Sequence, residues 1–159
     1  MAKVLFYDIE TAPNLAYVWG QYQQDVVEQH RSWYLMCFGY RWEDEKSTKV
    51  VSLTDFDLYA TEPENDREVV RVLWELFDEA DIVIAHNGDR FDMRKANARF
   101  IAHHMTPPTP VQQVDTLKVA RKYFMFNSNR LGDLGEHVGL GKKEATGGFG
   151  LWKGCMMGD

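Results

Sequence analysis

Two acids one residue apart, Asp8 and Glu10, close an apolar run at residues 3–9 and are the first residues in the chain whose types and spacing can do chemistry. The run, Lys-Val-Leu-Phe-Tyr-Asp-Ile, is β-branched and aromatic and too short for a helix, so it reads as a buried strand. Side chains alternate along a strand, so Asp8 and Glu10 share one face and Ile9 takes the other. Carboxylates held side by side repel unless a cation joins them. Hard oxygen donors of this kind suit Mg²⁺ or Mn²⁺. An isolated acid-x-acid pair is usually no more than the polar face of a strand. At the end of a buried apolar strand unpaired charge is costly, and the balance moves toward a function. A second group lies at residues 85–92, Ala-His-Asn-Gly-Asp-Arg-Phe-Asp, between a short apolar strand and a helix. If that strand lies beside the first, Asp92 in the first helical turn reaches the space around Asp8. The helix dipole also tolerates an ordinary acid there. Asn87 and Gly88 make a turn between strand and helix.

The elements that must position these acids follow from periodicity. Residues 34–42 and 48–53 are strand-like on either side of a charged turn, a hairpin pattern. Apolar positions at Val69, Val70, Val72, Leu73, Leu76, Phe77 and Ala80 give helical spacing over 66–80, with Asn65 or Asp66 as its cap. Residues 81–85, Asp-Ile-Val-Ile-Ala, read as a strand flanked on both sides. Further elements are expected as a helix over about 90–104, a strand at 111–115, and helices at 116–124 and near 130–138. The stretch from Pro13 through Val27 reads as a loop with a short helix, and the last twenty residues as irregular and Gly-rich. Strands first, then helices alternating with strands, indicate an α/β domain with a mixed sheet. The helix over 66–80 acts as a crossover that makes strand 81–85 parallel to the first and its neighbour.

Composition sets the outer bounds. A chain of 159 residues with 45% hydrophobic and 13% aromatic content fits a single ordered domain. No apolar run approaches a membrane span, and the N-terminus lacks a signal-peptide layout. Cys37 and Cys155 form no framework or metal spacing, which points to a reducing, cytosolic compartment. The net charge of −6 hides an asymmetry: residues 1–89 carry 7 Lys or Arg against 18 Asp or Glu, and residues 90–159 carry 11 against 6. The basic second half is compatible with a phosphate footprint and equally with a solvated surface. Tyr123, Phe124, Phe126 and Trp152, with Arg121, Lys122, Arg130, Lys142, Lys143 and Lys153, have the residue types that hold a single strand. Taken one at a time, the phenylalanines are expected in the core and the lysines in solvent. His86, His103 and His104 have no zinc spacing and read as surface or turn residues.

Asp8-Ile9-Glu10-Thr11 resembles the first motif of the four-carboxylate (DEDD-type) 3′–5′ exonucleases, and His86-Asn87-Gly88 with Phe91-Asp92 resembles their second. Asp115-Thr116-Leu117 with Ala120-Arg121, then Leu131 and Leu134 ahead of residues 138–140, resembles the later strand–helix region of polymerase proofreading subunits. The resemblance spans about residues 3–140 and lies nearest the phage-type and proofreading enzymes. It implies a ribonuclease-H-like mixed sheet flanked by helices. It also implies a two-metal mechanism on DNA 3′ ends, with Mg²⁺ or Mn²⁺, two per site when the fourth acid is present. By the same resemblance Asp8 bridges the metals, Glu10 and Asp92 hold one or the other, and the Ile9 backbone, Thr11, Asn87 and Phe91 meet the terminal nucleotide. For Phe91 simple core packing is an equal alternative, and Asp115 is expected to be structural. The implied partners are single-stranded DNA or frayed 3′ ends, with RNA possible, and a DNA polymerase or replication protein. The implied setting is the cytoplasm of a bacterium or phage-infected host.

The family's fourth acid follows a Tyr or His by four or five residues, and no Tyr or His follows His137. Two readings stand. In the favoured one, residues 1–159 form one domain that stops short of the helix carrying the fourth motif. In the other, Asp159 is itself the fourth ligand. The first expects weak or absent cleavage, and so keeps open a catalytically impaired nucleic-acid-binding module of the same fold.

Overall fold

The computed structural model describes residues 1–22, 24–141 and 147–158. Lys142, Lys143 and Asp159 therefore lie outside the described residues. The chain runs β1 (Val4–Thr11), β2 (Leu15–Tyr17), β3 (Glu28–Arg31), β4 (Leu35–Trp42), β5 (Lys49–Ser52), α1 (Arg67–Glu79), β6 (Ile82–Ala85), α2 (Asp92–Ala102), β7 (Gln112–Asp115), α3 (Thr116–Tyr123), α4 (Leu131–His137) and α5 (Phe149–Met157). Two short 3₁₀ turns, Leu53–Asp55 and Asp57–Ala60, join β5 to α1.

Five strands form one mixed sheet in the order β5-β4-β1-β6-β7. The expected hairpin is the antiparallel β4–β5 pair, and β4 continues the ladder onto β1. β6 is parallel to β1 and to β7, as a helical crossover requires. Along β1 the side chains of Leu5, Tyr7 and Ile9 are buried while Phe6, Asp8 and Glu10 are more exposed. α1 and α2 cover the buried face. Phe77 of α1 meets Tyr7 edge-on with centroids 4.9 Å apart, and Phe100 of α2 packs on Phe77 at 6.0 Å. These rings join Leu5, Ile9, Phe38, Val69, Leu73 and Ala96 in one core.

Two segments depart from the periodicity reading. Residues expected as loop and short helix instead hold β2, which pairs with β3 in a separate two-stranded ribbon. The stretch expected to be irregular carries α5, although Gly150 and Gly154 lie within it. Intrinsic propensity disfavours glycine there by roughly 1 kcal/mol each. Tertiary contact outweighs it: Met156 packs on the core, its sulfur 3.1 Å from Arg31 Nη2. Phe124 and Phe126 are not core residues. Phe124 is exposed and stacks on Phe126 at 5.2 Å, and Phe126 meets His137 at 5.0 Å.

Asp66 does not act as the expected helix cap. It occupies the cap position of α1, yet its side chain caps nothing, and Asn65 Oδ1 accepts from Arg67 N–H instead. The Asp66 carboxylate is fully buried and turned inward. It accepts from Leu35 N–H at 2.7 Å, from Arg99 Nε at 2.7 Å and through a second Arg99 contact, and meets His103 Nε2 at 2.6 Å. This one carboxylate ties the start of β4 and the far end of α2 to the start of α1.

Candidate active site

β1 outruns its parallel neighbour. β6 pairs in register with Val4, Leu5 and Phe6 only. Past that point Ile9 N–H donates to Asp92 Oδ1 at 3.0 Å, a bond that spans 83 positions of sequence. Asp92 is the first residue of α2 and only 2% exposed. Its carboxyl is pushed up to about 6, by burial first, with the charges of Asp8 and Glu10 adding, while the hydrogen bond from Ile9 opposes. Asp92 thus lies at the end of β1, close enough to feel the charges of Asp8 and Glu10. Asp8 and Glu10 face an open trough of about 580 Å³ on the uncovered side of the sheet, lined also by Phe6, Arg41, His86 and Thr116. Cys37 stands opposite Glu10 across the β1–β4 ladder, its thiol pushed up to about 11 by burial, Glu10 and Cys155.

The turn that delivers Asp92 is tightly built. Asn87 has φ +67°, a left-handed conformation that asparagine tolerates better than most residues. Its N–H donates to Asp115 Oδ1 at 2.9 Å, and the same oxygen accepts from Leu117 N–H at 2.9 Å, capping α3. Asp115 is 5% exposed, and these two bonds join the turn to β7 and α3. His86, in the bend after β6, bridges Thr116 Oγ1 at 2.9 Å and the Asn129 carbonyl at 3.0 Å, so its ring is held within the turn. A Cβ on Gly88 would stand 2.7 Å from Ala85 Cβ. Gly88→Ala is therefore expected to cost about 1–3 kcal/mol of stability, the usual range for forced overpacking, in a urea titration. An unchanged midpoint would show that the turn relaxes freely.

The site residues expected around a nucleotide divide by position. Ile9 N–H is taken by Asp92. Thr11 Oγ1 accepts from Lys95 Nζ at 3.1 Å. Phe91 is 39% exposed and outside the core, with the Lys95 ammonium 5.2 Å from its ring centre. Lys95 and Trp33, whose ring centre lies 3.9 Å from that ammonium, carried no signal in the motifs. The (i, i+3) spacing from Asp92 to Lys95 on a helix was the one available clue.

Chemically, the donors suit a hard divalent cation, because three oxygen acids repel in a partly dehydrated place. Among the described residues, no group of three or more His, Cys, Asp or Glu side chains is already gathered at metal-holding distance. The donor type fits; the assembled ligand cage does not appear within that set.

The protonation of Asp92 gives a stability prediction. Its folded value of about 6 exceeds the ordinary 3.8. The folded form therefore binds the extra proton between those values, so this contribution is present below pH ~3.8 and lost as pH rises through about 6. In metal-free buffer Asp92→Asn, which keeps the acceptor for Ile9, should stabilise the protein at neutral pH by on the order of 2 kcal/mol. The gain should shrink on acidification through that window. Thermal melts from neutral to mildly acidic pH measure it, and a gain independent of pH would discard the assignment.

A family model, the RNase H superfamily, matches residues 5–149. The chain belongs to the RNase H superfamily. The matched span contains β1 from Leu5 on, β6, α2 and all three acids, and membership supports a nuclease, hence a hydrolase, in general terms. Among solved structures the fold is similar to that of the family B DNA polymerase from the hyperthermophilic archaeon Pyrobaculum calidifontis. The TM-score is 0.67 at 15% identity, over 96% of this chain and 21% of the polymerase. The chain thus spans about a fifth of that protein's length, and the likeness is one of fold. No curated protein matches the chain. No helix among the described residues is long and apolar enough to cross a membrane.

Proposed function

We propose that this RNase H superfamily chain is a divalent-metal-dependent 3′–5′ exonuclease of the four-carboxylate type, acting on single-stranded DNA or frayed 3′ ends. The observation that carries the reading is Asp92: a buried carboxyl at the start of α2, tied to the backbone between Asp8 and Glu10 and raised by its burial, with their charges adding. Asp8, Glu10 and Asp92 would hold Mg²⁺ or Mn²⁺. When bound, such ions activate a water and stabilise the leaving 3′-oxygen. The chain's own residues provide position. Ile9 N–H fixes the Asp92 rotamer, the Asn87–Gly88 turn sets the start of α2, and Thr11, Asn87 and Phe91 border the place of the terminal nucleotide. Because a solved structure sharing the fold is a DNA polymerase, DNA is the first substrate to test and a polymerase the first partner.

A second reading is a nucleic-acid-binding module that retains the fold without cleaving. Its support is the lack, among the described residues, of a gathered three-acid cage. The deciding assay incubates 3′-labelled and 5′-labelled single strands, DNA and RNA in parallel, with Mg²⁺ or Mn²⁺. Stepwise loss of the 3′ label from DNA supports the exonuclease. Faster loss from RNA would move the reading to an RNA-directed enzyme, and binding without cleavage to the module.

A further inference from the structure

Lys95 shares α2 with Asp92. It sits one turn after Asp92 on α2, half-buried, and no carboxylate among the described residues pairs with it. Burial alone pulls its ammonium below the usual lysine range. Three contacts hold it in place: Thr11 Oγ1 at 3.1 Å, the face of Trp33 at 3.9 Å from the ring centre, and Phe91 at 5.2 Å. The Trp33 backbone N–H donates to Asn14 Oδ1 at 2.9 Å, fixing the chain where the indole leaves it. An ammonium on aromatic faces keeps part of its stabilisation while losing water, and its remaining N–H groups stay available to an acceptor.

The same lysine lines a cleft of about 420 Å³ with Thr11, Asn14, Trp33, Phe149 and Trp152. One wall is β1's exit and the loop after it; the other is α5, which presents Phe149 and Trp152. Thr11 directly follows Glu10 in β1 and Lys95 follows Asp92 by one turn in α2, so the two elements that carry the acids also reach this cleft. Aromatic walls with one preorganised cation match a nucleotide: a flat base for the rings and a phosphate for the ammonium. An acidic peptide would use the cation and leave the indole idle.

We infer that this cleft is a subsite for an unpaired nucleotide, with the base packed against Trp152 and Phe149 and its phosphate met by Lys95. The inference rests on the reading of the neighbouring acids as a nuclease centre and deepens it: Thr11 belongs to that site's first motif, whereas Lys95, Trp33, Phe149 and Trp152 do not. A base inside the cleft has left its helical stack, so the subsite selects single strands over duplex. Lys95 acts as a positioning residue, holding the strand relative to Asp92 by way of their shared helix.

The test measures binding without cleavage. In EDTA, fluorescence anisotropy follows a fluorescein-labelled oligothymidylate titrated with wild-type protein, Lys95→Met, Lys95→Arg and Trp152→Ala over a range of salt. Lys95→Met is expected to weaken binding about tenfold, as loss of a charge-assisted hydrogen bond does. It should also flatten the log K against log salt slope by roughly 0.7 per lost phosphate contact. Lys95→Arg should keep the slope. Trp152→Ala, on the outer wall of the cleft, should weaken binding with the slope unchanged, and a blunt duplex should be insensitive to both changes. Melting curves of each variant confirm folding; Lys95→Met removes a half-buried charge and should melt no lower than wild type. Wild-type affinity and slope in Lys95→Met would overturn the subsite, as would failure of the wild type to bind the strand. Lys95-dependent binding in a protein that cleaves nothing with Mg²⁺ or Mn²⁺ would sink the exonuclease reading and leave the subsite standing. Cleavage unaffected by Lys95→Met would do the reverse.

Discussion

Asp8→Ala is expected to lower metal-dependent release of a 3′ label by on the order of 10³-fold, the range seen when one preorganised electrostatic contact to a developing charge is removed. The size follows from position. Asp8 projects from β1 onto the open side of the sheet, away from the core that α1 and α2 close. Its loss removes a donor from the acids around Asp92 without opening a cavity. The same variant should therefore keep its melting temperature in EDTA, or gain slightly, because Asp8 contributes to the charge that burdens Asp92. Metal-induced stabilisation, which scales with the ratio of free ion to dissociation constant, should fall with activity. Cleavage rates and melts with and without Mn²⁺ measure both. A variant that cleaves like wild type would remove Asp8 from the metal-binding set, and a variant that fails to fold would mean the acid has a structural task.

Asp66→Ala is expected to be the most destabilising single change of a charged side chain, costing about 3 kcal/mol, the lower end of the range for breaking a buried ion pair. The carboxylate is fully buried and serves Leu35 N–H, Arg99 and His103 together. Truncation leaves a buried backbone N–H without an acceptor and a guanidinium without its counter-ion. Two features place the cost at the lower end. The Arg99 and His103 side chains keep 18% and 15% of their exposure, so water reaches them. Arg99 also retains the Trp33 face at 5.7 Å. Asp66→Asn, which preserves an acceptor for Leu35, should cost less than alanine. Urea unfolding of the two variants gives the comparison, and a loss under 1 kcal/mol for alanine would show that the pair adds little beyond its own desolvation. Because Arg99 and Lys95 share the ring of Trp33, the Asp66 variants should also weaken strand binding if the cleft is a nucleotide subsite.

Much of this molecule is written locally. Period-two alternation from Leu5 to Glu10 determines that two acids leave one face of β1 and that Ile9 enters the core. Helical spacing from Val69 to Phe77 determines a crossover, and the crossover places β6 parallel to β1. From these alone the mixed sheet and the neighbourhood of Asp8, Glu10 and Asp92 were legible, because each depends on a repeat shorter than a helix turn or on a connection rule.

What tertiary structure decided depends on contacts far apart in the chain. The inward turn of Asp66 is set by Leu35, Arg99 and His103, at separations of 31 to 37 residues, and a helix-start acid looks the same in sequence whether it caps or not. Lys95 owes its place to Thr11, 84 residues away, and to the Trp33 ring. α5 forms across two glycines only because Met156 finds the core and Arg31. Short β2 and β3 became a ribbon by pairing with each other, a choice that three or four residues of propensity cannot announce. The sequence by itself determined which residue types stand at the end of β1. Folding alone decided that a half-buried lysine and an aromatic wall would stand near them, since desolvation and ring contacts arise only where distant segments meet.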